Sequence, residues 1–93
     1  MADMIVDGNV SPKGYQQITN LSASVGLTVP SDARLALIIP ETQPVRWLEI
    51  GTPTASVGMP QAVGQVLWYT GNLKSIRFIE QSASATLNVT YYG

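Results

Sequence analysis

The chain is written in short apolar runs, each stopped within a few residues by glycine, proline, serine or asparagine. Nowhere does an i, i+3, i+4, i+7 apolar repeat last the ten or so residues that a helix needs. Period-2 alternation takes its place. In Thr86-Leu87-Asn88-Val89-Thr90-Tyr91-Tyr92, Leu87, Val89 and Tyr91 fall on one face and Thr86, Asn88 and Thr90 on the other. Ser24–Val29 alternates in the same way, and Ser75–Glu80 sets Ile76 and Phe78 against Arg77. Tyr15–Asn20, Arg34–Ile39, Val45–Ile50 and Gln65–Thr70 are further strands, and Ala55–Met59 is a short edge strand. Seven or eight short strands with frequent turns predict an all-β chain: an antiparallel β-sandwich or jelly-roll-like barrel.

The turns carry their own signals. Pro30-Ser31-Asp32-Ala33 starts with a residue whose φ is fixed and offers Asp32 for an Asx-type closure. Gly71-Asn72, between Thr70 and Leu73, has the composition of a two-residue hairpin turn. Ser82–Ala85 has the composition of a surface loop. Residues 1–14, with Gly8, Pro12 and Gly14 and no period, are expected to form an extended N-terminal arm ahead of a single domain over residues 15–93.

The polar inventory excludes much chemistry. Charged side chains are 12% of the 93 residues, about half the share of an average globular domain, and histidine and cysteine are both missing. The usual general base, the thiol nucleophile, the disulfide and the common zinc ligands therefore have no candidates. A formal net charge of −1 gives no electrostatic footprint for nucleic acid. No apolar run approaches a membrane span, and the N-terminus has no signal-peptide pattern, so synthesis in the cytoplasm is expected. Of the six acids only Glu49 and Glu80 lie inside predicted strands, which leaves them as the one carboxylate pair available to a glycosidase-type mechanism. The simpler expectation is that each sits on a strand surface, and that the chain is no enzyme and needs neither cofactor nor metal.

What remains to act is surface. Trp47, Trp68, Tyr69 and Tyr92 are large rings suited to a protein contact or a sugar-stacking platform. Adjacent strand residues face opposite ways, so one of Trp68 and Tyr69 and one of Tyr91 and Tyr92 must point outward. Arg46 and Arg77, each beside an aromatic, are expected to pair with Glu49 and Glu80 across strands or between subunits. The candidate interface is therefore Arg46, Trp47, Trp68, Tyr69, Arg77 and Tyr92.

Several segments resemble the small structural proteins of tailed bacteriophages. They are Leu27-Thr28-Val29-Pro30, Leu35-Ala36-Leu37-Ile38, Pro44-Val45-Arg46-Trp47 leading to Gly51–Pro60, Ile76–Glu80, and Leu87–Tyr92. The resemblance covers roughly residues 20–93 in strand order. It implies a β-sandwich of the virion, one that decorates or cements the outside of the head. The expected partners are the major capsid protein and copies of the chain itself, with a trimer suited to local three-fold positions on a shell. The alternative it leaves open is a tail or fibre module that binds host-surface carbohydrate, with Trp68 and Tyr92 as its platform.

Overall fold

The computed structural model describes residues 10–93, which hold eight strands and no helix. The strands are β1 (Pro12–Ile18), β2 (Val25–Gly26), β3 (Leu35–Glu41), β4 (Val45–Leu48), β5 (Met59–Gln61), β6 (Leu67–Tyr69), β7 (Arg77–Glu80) and β8 (Thr86–Tyr92). They make two four-stranded sheets, sheet A in the order β1-β8-β3-β6 and sheet B in the order β2-β7-β4-β5. Every pairing is antiparallel.

The pairing follows one rule. β1 meets β8, β2 meets β7, β3 meets β6 and β4 meets β5, as in one long hairpin. Rolling that hairpin over brings β8 against β3 and β7 against β4 as well. This is the jelly-roll arrangement, within the all-β class that the strand pattern predicts.

The core lies between the sheets. β8 sends Leu87, Val89 and Tyr91 into it, each at most 1% exposed, as their alternation requires. β3 contributes Ala36 and Ile38, β4 Val45, and β7 Phe78, all fully buried. Removing a Leu, Ile or Phe side chain from water contributes roughly 1.5–3 kcal/mol, so these positions dominate the stability of a small chain. Tyr91 keeps a polar link inside this layer. Its Oη donates to Gln16 Oε1 at 2.6 Å, which also accepts the Thr28 N–H at 3.1 Å. Among the described residues, Gln61 is the one buried polar side chain, at 2% exposure. Its Nε2 donates to the carbonyls of Ile38, 3.1 Å away, and Gln65, 2.8 Å away, and so ties β5 to sheet A.

Four local expectations change. The fifth strand is Met59–Gln61 rather than Ala55–Met59, because Thr54 and Val57 close a turn on each other. Thr54 Oγ1 also accepts from the amides of Ser56 and Val57, so these groups are not offered to a ladder. Pro60 fits within β5 because β5 is an edge strand. Gly71-Asn72 does not form a hairpin turn, since β6 belongs to sheet A and β7 to sheet B. Asn72 instead bends the crossover, its side chain accepting the Lys74 amide and its carbonyl those of Ser75 and Ile76. Gly71 serves close approach: a Cβ there would run into the Tyr69 ring.

The Pro30–Ala33 turn closes through the Ala33 N–H to the Pro30 carbonyl, with Asp32 at φ 66°. Ala85, in the segment read as a surface loop, is 1% exposed and joins the core. At the N-terminus, β1 begins at Pro12, inside the segment read as an arm, and Ser11 exchanges backbone hydrogen bonds with Gly93. The remainder of that expected arm, residues 1–9, lies outside the described residues.

Candidate interface on the outer face of sheet A

β3 is apolar on both faces. Ala36, Ile38 and Pro40 are buried toward the core, which leaves Leu35, Leu37 and Ile39 on the outer face of sheet A. The ladders then fix their neighbours. Leu37 lies between Trp68 of β6 and Thr90 of β8, Leu35 is beside Tyr92, and Ile39 is beside Asn88. The rings of Trp68 and Tyr92 approach over β3, with centroids 5.8 Å apart and planes tilted by 49°. Leu35 is 6% exposed, yet it stands outside the core cluster that fills the sandwich. Its cover comes from the outer face. Val66, 52% exposed, continues the apolar stripe two residues before Trp68.

A polar border runs along one side of this stripe. Asn88 Oδ1 accepts from Tyr15 Oη at 2.6 Å and from Gln17 Nε2 at 3.1 Å, and Asn88 Nδ2 donates to Glu41 Oε1 at 2.9 Å. Three strands, β1, β8 and β3, are thereby linked across their outer face. An apolar centre with a satisfied polar rim is the anatomy of a protein-binding patch.

The other expected interface residues divide between the core and the second sheet. Tyr69 is 6% exposed and packs in the core. Trp47 lies against that core with its ring 6.4 Å from the Tyr69 ring. The Tyr69 Oη donates to Glu49 Oε2 at 2.7 Å. Burial first, and then the Glu49 carboxylate, push the Tyr69 phenol up to about 12. Burial does the same to Tyr91, also to about 12. Of each tyrosine or tryptophan pair, then, Trp68 and Tyr92 are the outward members, and Tyr69 and Tyr91 are the inward ones.

Arg46 and Arg77 lie on sheet B and do not pair with Glu49 and Glu80 within the chain. The Arg46 guanidinium donates to the carbonyls of Ala55, at 3.1 Å, and Gly58, at 2.9 Å. Arg77 donates to Ser24, through its carbonyl at 2.9 Å and its hydroxyl at 3.3 Å. Both arginines clamp loops. Glu49 is taken by Tyr69, and Glu80 accepts the Ala85 amide at 3.2 Å. The register sets Arg46 opposite Ile79 and Arg77 opposite Leu48, whereas Glu80 lies opposite the buried Val45, so the arginines and Glu80 fall on opposite faces of sheet B. Among the described residues, no group of three or more Asp, Glu, His or Cys side chains comes together to hold a metal ion.

Leu35, Leu37 and Ile39 were missing from the expected interface, although their signal was present. Arg34–Ile39 is an unbroken apolar run after its first residue, whereas an antiparallel strand with one wet face alternates. No family model, curated protein or solved structure matches the chain.

Proposed function

We propose that the chain is a non-enzymatic structural protein of a bacteriophage virion. In this reading it is a head-decoration subunit that lays the outer face of sheet A on the capsid shell and self-associates there. Its partners are the major capsid protein and further copies of itself, and its place is the outer surface of the particle. The observation that carries the reading is the second apolar face of β3, roofed by Trp68 and Tyr92. Contiguous outward apolar groups of this kind mark a surface meant to be covered. Jelly rolls are a common frame for capsid proteins, which is compatible with the reading, but they also serve as lectins.

The mechanism is adhesive. Trp68 and Tyr92 are the anchors, because large rings at a desolvated patch centre contribute most of the affinity, typically 2 kcal/mol or more each. The Asn88 network holds the rim polar groups in place, so that little side-chain order is lost on docking.

The test is to separate phage particles into heads and tails and to locate the chain by mass spectrometry, with purified chain added back to stripped heads. Recovery with heads supports the proposal. Recovery with tails alone, together with a change in tryptophan fluorescence on adding host polysaccharide, supports the carbohydrate-binding alternative. That alternative draws on the same ring pair, since two rings at an open surface can also stack on a sugar.

A further inference from the structure

The four sheet edges differ in what they offer. β2, β5 and β6 present two or three residues each, while β1 presents seven and, among the described residues, pairs on one side only, with β8. Pro12, Lys13, Gly14, Tyr15 and Gln17 of β1 are all exposed, Tyr15 by 62%. A depression of about 330 Å³ opens beside this edge, between Tyr15 and Gln16 on one side and Thr28 and Pro30 on the other.

Proteins guard long edges with proline, lysine or a bulge. Here all three guards sit at the start of the strand, as Pro12, Lys13 and the register shift between Pro12 and Gly14. From Gly14 to Ile18 the register with β8 is regular, and the sequence Gly-Tyr-Gln-Gln-Ile carries no charge and no proline.

We propose that β1 pairs antiparallel with β1 of a second copy, joining two A sheets into one continuous eight-stranded sheet. The inference deepens the self-association in the function proposed above and rests on it. The regular stretch Gly14–Ile18 has its midpoint at Gln16, which sets the two-fold axis there. Tyr15 then faces the partner's Gln17, and Gly14 faces the partner's Ile18, a small residue against a large one. Lys13 faces the partner's Thr19, so no like charges meet. The contact uses the same patch on both copies and closes at two, rather than at the three that shell symmetry suggested.

Light scattering on the full chain after size exclusion tests this. The wild type is expected at about 20 kDa, two copies of the 10.0 kDa chain. Tyr15→Lys with Gln17→Lys sets lysine against lysine in this register and is expected to weaken the dimer at least tenfold. Tyr15→Lys with Gln17→Glu sets lysine against glutamate and is expected to keep it. Thermal unfolding of both variants checks that each is folded. A monomeric wild type, or equal dimerisation of the two double variants, overturns the edge pairing. If the wild-type chain still co-sediments with heads in either case, head decoration stands without it. If the two variants differ as expected but neither they nor the wild type binds heads, the pairing stands and the site of action does not.

Discussion

Trp68 and Tyr92 come from two strands that do not touch, and they meet over the strand between them. The order β8-β3-β6 puts one ring on either side of β3, and their centroids close to 5.8 Å. Leu35 beneath them is buried without belonging to the core. The outer face of sheet A thus carries a small apolar cluster of its own.

Trp68→Ser should remove that cluster's roof while leaving the sandwich intact. Losing the ring pair and uncovering Leu35 is expected to lower unfolding stability by about 1–2 kcal/mol in urea titration. The same variant should fail to co-sediment with stripped heads.

Gln61→Leu keeps volume in the core but removes both donors. The carbonyls of Ile38 and Gln65 would lose the bonds that Gln61 Nε2 supplies. A buried polar group without a partner costs about 1–3 kcal/mol. Because Gln61 Oε1 already lacks a partner, the removal of that atom offsets part of this. The net expectation is a loss of about 1–2 kcal/mol, measured by chemical denaturation.

The chain should lose stability on the alkaline side. Tyr69 and Tyr91 both have phenols raised to about 12 by burial, against an ordinary value of 10.0. Between those values the unfolded chain releases these protons and the folded chain holds them, so rising pH favours unfolding. The contribution is fully present below pH 10 and fades toward pH 12. Thermal midpoints should fall over that window, and Tyr91→Phe should make the fall shallower.

The loop between β4 and β5 depends on Arg46 and Gly58. Gly58 has φ of 140°, and a Cβ there would lie 3.1 Å from the Trp47 carbonyl oxygen. Gly58→Ala is expected to cost about 1–3 kcal/mol through backbone strain. Arg46→Lys cannot span both the Ala55 and Gly58 carbonyls. Hydrogen exchange at the Ala55–Val57 amides should therefore quicken, while the ladder between β3 and β8 stays protected.

Alternation located strands without bounding them: Ser24–Val29 alternates like Thr86–Tyr92, yet only Val25 and Gly26 pair, with β7. Thr86–Tyr92 could be read residue by residue, because its period of two is the physical signature of a half-buried strand. The fifth strand was displaced because Pro60 reads as a turn residue unless its strand lies at an edge, and an edge is set by the sheet order. Gly71-Asn72 showed a turn but not its direction, since crossing between sheets and returning within one use the same residues. For the candidate interface, the sequence pointed to Trp68, Tyr69 and Tyr92 alike, and tertiary packing turns Tyr69 inward. It missed Leu35, Leu37 and Ile39 because an apolar run in a strand is read first as core. Within the chain Arg46 and Arg77 turn to loop partners, which tertiary geometry sets and strand alternation does not reveal.

β8 lies between β1 and β3, and the roof of the outer cluster includes Tyr92, near the end of that strand. A nascent chain that stops before residue 86 has no strand to which β1 can pair, and its β3 has only the three-residue β6. Sheet A therefore cannot form progressively during synthesis; it closes when its last strand arrives. The outer apolar cluster comes into being at the same moment. Prematurely terminated chains would carry neither a finished sheet nor the ring pair on its outer face.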